Sequence, residues 1–392
     1  MTSAGSLSEV ARYFFRLGVI AFGGPAAHIA ILRRDLVVQR RWLTDAEFVD
    51  MLGVTNLIPG PNSTEMTMHL GASRAGNRGL WIGGAAFILP AVVIVLAFAW
   101  AYVRYGDTPT AEGLLFGIQP VILAVIVQAI WGLRLAAVKT PSAVVVVVAA
   151  TALALAGVGE VWLIFGAGIG LLVLSIVSGG RSNSPWHGRV RRASAKARSL
   201  TARLRFALIP LAAASGTESS LLWVFLVFLK IGAVLYGSGY VLVSFLETEF
   251  VTQRGWLTQQ QLLDAVAVGQ FTPGPVFTTA TFVGYVLEGF PGAAVATVGI
   301  FLPSFLFVAI THPFIPRIRR SSWASPFLDG VNAAAIALMA VVTIRLATQA
   351  IDSAFQLAIL AVTAIVLVRF SPNSVWLILA GAAAGLAHRA LS

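Results

Sequence analysis

Leu57-Ile58-Pro59-Gly60-Pro61-Asn62-Ser63-Thr64-Glu65 lies inside one apolar stretch and Thr272-Pro273-Gly274-Pro275 inside another, with Pro59 and Pro273 214 positions apart. Two prolines around a glycine remove backbone donors, so neither triplet continues a regular helix. The surroundings repeat as well. At the same offset Arg16 matches Lys230, Gly18 matches Gly232, Asp35 matches Glu249, Trp42-Leu43-Thr44 matches Trp256-Leu257-Thr258, and Asp50 matches Asp264. One residue is then lost, and Gly71/Gly284, Gly79/Gly292, Pro90/Pro303 and Gly117/Gly330 follow at 213. A duplicated hydrophobic unit with a helix break at membrane depth in each copy points to a secondary transporter.

The chain is 58% hydrophobic and 11% charged, with a mean hydropathy of +0.86, which excludes an ordinary soluble domain. Apolar runs at 80–103, 141–158 and 355–368 reach membrane-spanning length. The formal charge of +11 reads as arginine and lysine collected in cytoplasmic loops, not as a nucleic-acid surface. Zero cysteines exclude disulfides and thiolate chemistry. Arg12 and Arg16 inside the first apolar segment argue against a cleaved signal peptide. An integral membrane enzyme needs clustered acids or a nucleophile with a base. Sixteen scattered acidic residues and five dispersed histidines do not supply one, and no cofactor is expected.

Hydropathy places segments near 9–32, 48–70, 79–103, 112–133, 141–158 and 160–178, then 220–246, 262–286, 291–312, 326–347, 354–369 and 373–390. The expected organisation is an N-terminal repeat at 1–178, a basic cytoplasmic linker at 179–219 and a C-terminal repeat at 220–392. The loop after the first segment holds Arg33, Arg34, Arg40 and Arg41, whereas its counterpart holds Arg254 beside Glu247 and Glu249. The loop after the third reverses this, with Arg104 beside Asp107 and Glu112 against Arg317, Arg319 and Arg320. Opposite basic bias in equivalent loops means inverted copies. The chain therefore reads as an all-α polytopic membrane protein with two inverted repeats, about ten transmembrane helices and two re-entrant, broken PGP helices. That count puts both termini outside the cytoplasm, unless the first segment is itself a hairpin broken at Gly23-Gly24-Pro25.

After each break a new half-helix presents free N–H groups and a positive dipole end, a ready anion site. The expected contacts are Asn56, Pro59, Gly60, Pro61, Asn62, Ser63 and Thr64, with Gln270, Pro273, Gly274, Pro275, Thr278 and Thr279 in the second copy. A plain kink between packed helices is the alternative. Arg16 and Lys230 are cations at equivalent apolar positions, expected to neutralise one dianion from two sides; snorkelling to the interface is the competing use. Gly23, Gly24 and Pro25 permit a local break or close packing. Glu65 and His69 share a helical face and, with His28, are candidates for carrying a coupling proton. Each lacks a titratable counterpart in the second copy.

The motifs Phe15-Arg16-Leu17-Gly18, Ala21-Phe22-Gly23-Gly24-Pro25-Ala26-Ala27-His28-Ile29, Leu57 to Glu65, Phe87-Ile88-Leu89-Pro90-Ala91, Gly255-Trp256-Leu257-Thr258 and Gln270 to Phe277 closely resemble the chromate ion transporter family in its long, two-half form. The resemblance runs from about residue 10 to the C-terminus. It implies chromate efflux across the cytoplasmic (inner) membrane and chromate resistance, with sulfate as the look-alike anion. The second half lacks the Asn-Ser-Thr-Glu run, which argues against strictly symmetric binding. A transporter of sulfate or another oxyanion, a passive anion channel and a homodimeric assembly stay open at this point.

Overall fold

The computed structural model describes residues 6–22, 24–106, 108–137, 140–178, 219–236, 239–315, 324–370, 372 and 374–391. The expected linker lies outside them except for Ser219, as do Gly23, Gly237, Ser238, Arg317, Arg319 and Arg320. The first half contains α1 (Leu7–Ile20), α2 (Gly24–Leu32) running into a π-helical turn (Arg33–Gln39), α3 (Asp45–Thr55), α4 (Asn62–Tyr105), α5 (Pro109–Ala137), α6 (Pro141–Leu155) and α7 (Glu160–Ser178). The second half repeats it: α8 (Leu221–Val234), α9 (Leu242–Leu246) with a π-helical turn (Glu247–Thr252), α10 (Gln259–Phe271), α11 (Thr279–Thr311), α12 (Ala324–Ala350), α13 (Ala354–Phe370) and α14 (Ser374–Leu391). Among the described residues six helices are long and apolar enough to cross a bilayer, and three shorter apolar helices accompany them. The chain is a multi-pass membrane protein.

Local sequence explains where the elements begin and end. Thr44 and Glu47 form a reciprocal capping box at the start of α3, and Thr258 and Gln261 form the same device on α10. Both helices then stop at their PGP triplet. The segment near 9–32 is not one helix but takes the alternative form, divided just before Gly24-Pro25. Ala21 adopts an extended conformation, and Pro25 sits in the first turn of α2, where a missing N–H costs nothing. The chain folds back there: Tyr13 Oη donates to Asp35 at 3.3 Å, and the Tyr13 ring lies 5.5 Å from Trp42. The second half does likewise, with Phe228 4.9 Å from Phe250.

A second hairpin follows in each half. Asn62 Nδ2 donates to Asn56 Oδ1 at 2.6 Å, and Ser73 Oγ lies 4.0 Å from Met51 Sδ, so α3 and the 62–74 arm of α4 run antiparallel. α4 then reverses at Gly76 (φ 66°) and α11 at Gly289 (φ 61°). The arms pack so tightly that a Cβ on Gly71 or Gly79 would overlap the other's carbonyl, and Gly284 and Gly292 stand in the same relation. Two of the matched glycine pairs, Gly71/Gly284 and Gly79/Gly292, therefore supply one close contact within each half.

The halves interlock. α5 packs on α13 and α14, and reciprocally α12 packs on α6 and α7. Gly117 meets the Gly381 backbone, and its repeat partner Gly330 meets Ala167 and Gly168. Trp81 stacks on Phe305 at 5.0 Å, and Tyr102 lies 5.1 Å from Phe282. The 2.7 Å contact between the Thr281 and Thr297 hydroxyls sets Phe282 level with residue 297, so the 77–105 arm of α4 and the 290–311 arm of α11 run antiparallel. Equivalent helices that run in opposite directions require a pseudo-twofold axis perpendicular to them.

Candidate functional site

The first-half hairpins start from the end of the bundle marked by Glu9, Arg40 and Arg74, where Arg74 Nη2 lies 3.0 Å from Glu9. The second-half hairpins start from the other end, where Tyr102 Oη donates to Asp264 at 2.9 Å. Their tips meet between. Gly60 N–H donates to Leu235 O at 2.8 Å, and Gly274 N–H donates to Ala21 O at 2.9 Å. Residues 60 and 274 are repeat partners, and so are 21 and 235, so each PGP glycine bonds the end of the other half's first helix. Glycine is required at both tips. Gly60 has φ 137° and Gly274 φ 93°, and a Cβ on Gly274 would lie 2.8 Å from that of Ala91.

Pro59, Gly60, Pro61, Ser63 and Thr64 are buried, as are Pro273, Gly274, Pro275, Thr278 and Thr279. No side chain caps the start of α4, and its first bond runs from Glu65 N–H to Pro61 O at 3.0 Å. The N–H groups of Asn62, Ser63 and Thr64 thus have no intrahelical acceptor. Thr64 Oγ1 is enclosed without a hydrogen-bond partner among the described residues, and so is Gln270 Nε2. In the second half Thr278 Oγ1 donates to Pro275 O at 2.8 Å and Thr279 Oγ1 to Val276 O at 2.8 Å. Those hydroxyl protons serve their own turn.

Glu65 is fully enclosed (0% exposed), and its carboxyl and the Ser304 hydroxyl both crowd the space that a Cβ on Gly60 would fill. Neither group has a hydrogen-bond partner beyond the other among the described residues. His69 Nδ1 lies 3.0 Å from His312 Nδ1 across the two halves. His28 lies 3.0 Å from Ala21 O through Nε2; a carbonyl only accepts, so this nitrogen carries the proton. His28 thus holds the same carbonyl that receives Gly274. Gly24 and Pro25 open α2 at this tip, while Gly23 is outside the described residues.

The described contacts do not draw the two candidate cations together. Lys230 Nζ lies 2.5 Å from Glu249 Oε1, and Arg254 binds the other oxygen of that buried carboxylate. Arg16 is exposed and lines a cavity of about 460 Å³ with Arg12, Arg34, Arg40, Tyr13 and Asp35. A cavity of about 720 Å³ opens at the other end, lined by Asp264, Gln119, Glu112, Asp352, Gln356 and Arg389. Asp264, buried to 1% exposure, also takes a bond from Gln119 Nε2 at 3.3 Å. Sequence reasoning missed Ser304 and His312. The available signal for Ser304 was a hydroxyl directly after matched Pro303, where the first copy has Ala91.

Comparison with known proteins adds an independent line. The family model "Chromate transporter" matches residues 8–172 and again 222–386. The chain is 35% identical to the chromate transport protein of Cupriavidus metallidurans, over 97% of this chain and 95% of the relative. It is 34% identical to the probable chromate transport protein of Synechococcus elongatus, over 89% and 86% of the two chains. It is also 34% identical to the chromate transport protein of Pseudomonas aeruginosa, over 85% and 79%. No solved structure matches.

Proposed function

We propose that this chain, which belongs to the chromate transporter family, is a secondary active exporter carrying chromate across the cytoplasmic membrane by alternating access. The observation that carries this reading is the reciprocal pair of tip bonds, Gly60 to Leu235 and Gly274 to Ala21. It sets each break against the end of the other half's first helix, with half-helix N-termini arriving from opposite ends. The N–H groups of Asn62, Ser63 and Thr64 and the Thr64 hydroxyl are assigned to the anion's oxygens. The cavities at the two ends are assigned as entry and exit. Arginines line the first and carboxylates the second. An anion is thus concentrated at one end and released at the other. Sulfate, a tetrahedral dianion like chromate, is the expected competitor.

The test is chromate uptake into everted membrane vesicles. Saturable uptake that unlabelled chromate on the far side accelerates supports an alternating-access carrier; flux that neither saturates nor responds in this way would indicate a channel. Sulfate accumulation with no chromate uptake would reassign the substrate.

In the bilayer we read both hairpins of each half as re-entrant and the long helices as the crossings. Non-helical backbone at that depth survives only when covered by protein, and the buried PGP residues meet this condition. The arginine-rich end is cytoplasmic by the positive-inside rule; with the first segment a hairpin, this puts the start of α1 on that side and replaces the expectation of an N-terminus outside the cytoplasm. Single cysteines at Arg40 and Arg254 in this cysteine-free chain are expected to label from opposite faces. Labelling from one face would mean parallel repeats.

The two cations are expected to separate in kinetics. Arg16→Gln weakens capture at the arginine-lined cavity and raises the KM for chromate several-fold. Lys230→Gln leaves the buried Glu249 with Arg254 alone and lowers the yield of folded protein instead. Michaelis curves normalised to folded protein check both. A raised KM at normal yield in Lys230→Gln would place Lys230 on the anion after all.

A further inference from the structure

The two tips are nearly symmetric in backbone and differ in their titratable groups: Glu65 and Tyr236 stand at the first and His28 at the second. At the first, the Glu65 carboxyl and Ser304 hydroxyl lie side by side against Gly60, both enclosed and with no hydrogen-bond partner beyond each other among the described residues. At the second, Thr279 stands at the position of Glu65 with its hydroxyl bonded to Val276 O, and Ala91 stands at the position of Ser304. Among the described residues one carboxylic acid therefore faces the breaks.

A carboxylate and a dianion held against the same break repel each other. A proton on the carboxyl removes that repulsion. By reciprocity, anion binding then favours proton binding at this site, and proton binding favours the anion. We propose that Glu65 is a proton site coupled to the anion site, so that one proton accompanies each dianion and one net negative charge crosses per cycle. The proposal rests on the transport reading above. A carboxylate oxygen of Glu65 takes one proton as the anion enters, keeps it while the tips are closed, and gives it up as the anion leaves. No other bond changes. A dianion with one proton carries a charge of −1 outward, the direction that an inside-negative potential favours.

The other ionisable groups around this carboxyl are few. Tyr236, from the second half, is electrostatically linked to it. His69 lies one turn further along α4 on the same face, paired with His312 at the end of α11. Because the 62–74 arm runs from the tip to the arginine-rich end, this histidine pair lies between Glu65 and that end. It offers a proton route there, since His312 is partly exposed.

The test uses the full chain in proteoliposomes with a chromate gradient, the potential being set by potassium and valinomycin. The potential at which net chromate flux vanishes is the readout. For wild type we expect about 59 mV per tenfold chromate gradient, as for one net charge, and a shift of equal size per unit of transmembrane pH difference. For Glu65→Gln, which keeps the shape but takes no proton, we expect about 30 mV per tenfold gradient and no pH shift. Wild-type vesicles that move chromate with two charges and no pH shift would overturn the proton. Vesicles that move no oxyanion would instead overturn the transport reading. A pH shift that persists in Glu65→Gln would remove Glu65 from the role. Should Glu65→Gln not turn over, proton uptake on adding chromate to purified protein in weak buffer at about pH 8 decides. Wild type is expected to take up one proton per bound anion and the variant none; equal uptake by both overturns the assignment.

Discussion

Gly60→Ala and Gly274→Ala are each expected to lower chromate transport at least tenfold, without contributing any group to the anion's coordination. At φ 137° and 93° an L side chain is strained by about 1–3 kcal/mol. The added methyl has nowhere to go: at Gly60 it runs into the Glu65 carboxyl and Ser304, at Gly274 into Ala91. Overpacking of this kind costs about 1–3 kcal/mol more, and the relief available is to withdraw the tip from Leu235 or Ala21. The control lies in the same chain. Gly166 and Gly170, inside the helix α7, have open space where a Cβ would sit and no left-handed backbone. Alanine is favoured over glycine in a helix interior by about 0.5–1 kcal/mol. Gly166→Ala and Gly170→Ala are therefore expected to lose no stability and to transport almost normally. Vesicle uptake normalised to protein in the membrane, with thermal unfolding alongside, distinguishes the two pairs. Wild-type transport by Gly60→Ala would mean that the tip-to-tip bonds are incidental.

A chain cut within 179–218 is expected to yield two halves that fail separately and recover transport when co-expressed. α5 buries Val121, Ile122, Leu123 and Ile126 with α13 and α14 among its neighbours, both supplied by the other half. α12 depends in the same way on α6 and α7. Either half alone leaves these surfaces facing lipid, with the packing that drives helix association in a bilayer lost. Gly117→Val or Gly330→Val is expected to block reassembly, because the new side chain meets a backbone carbonyl of the other half that cannot rotate away. The cost is about 3 kcal/mol or more. Co-purification of one tagged half with the other reads this out. A stable, monodisperse single half would show that the interlock is dispensable.

Much of this arrangement was legible in the residues. The PGP triplets, Thr44 and Thr258 at helix starts, and the paired glycines all act through rules that span a few positions: missing donors, caps and the size of a side chain. The matched list even contained both members of the Lys230–Glu249 ion pair, as repeats of Arg16 and Asp35. That Lys230 meets Glu249, instead of reaching for a substrate, depends on the reversal after α8. A hydropathy window reads straight through such a reversal, since both arms are apolar. The same blindness merged α1 and α2 into one segment. Ser304 was passed over because a single hydroxyl in an apolar helix carries no signal until its neighbours are known.

Taken alone, the order of residues determined that there are two copies, and that the helix before each PGP triplet must stop there. These follow from backbone chemistry that acts within a turn or two. Only the tertiary structure decided what the stops touch. Gly60 reaches a carbonyl 175 positions away at Leu235, and Gly274 one 253 positions away at Ala21. Partnerships at that range follow from how two antiparallel copies thread through each other. Many threadings satisfy the same local rules, and packing of the whole bundle selects among them.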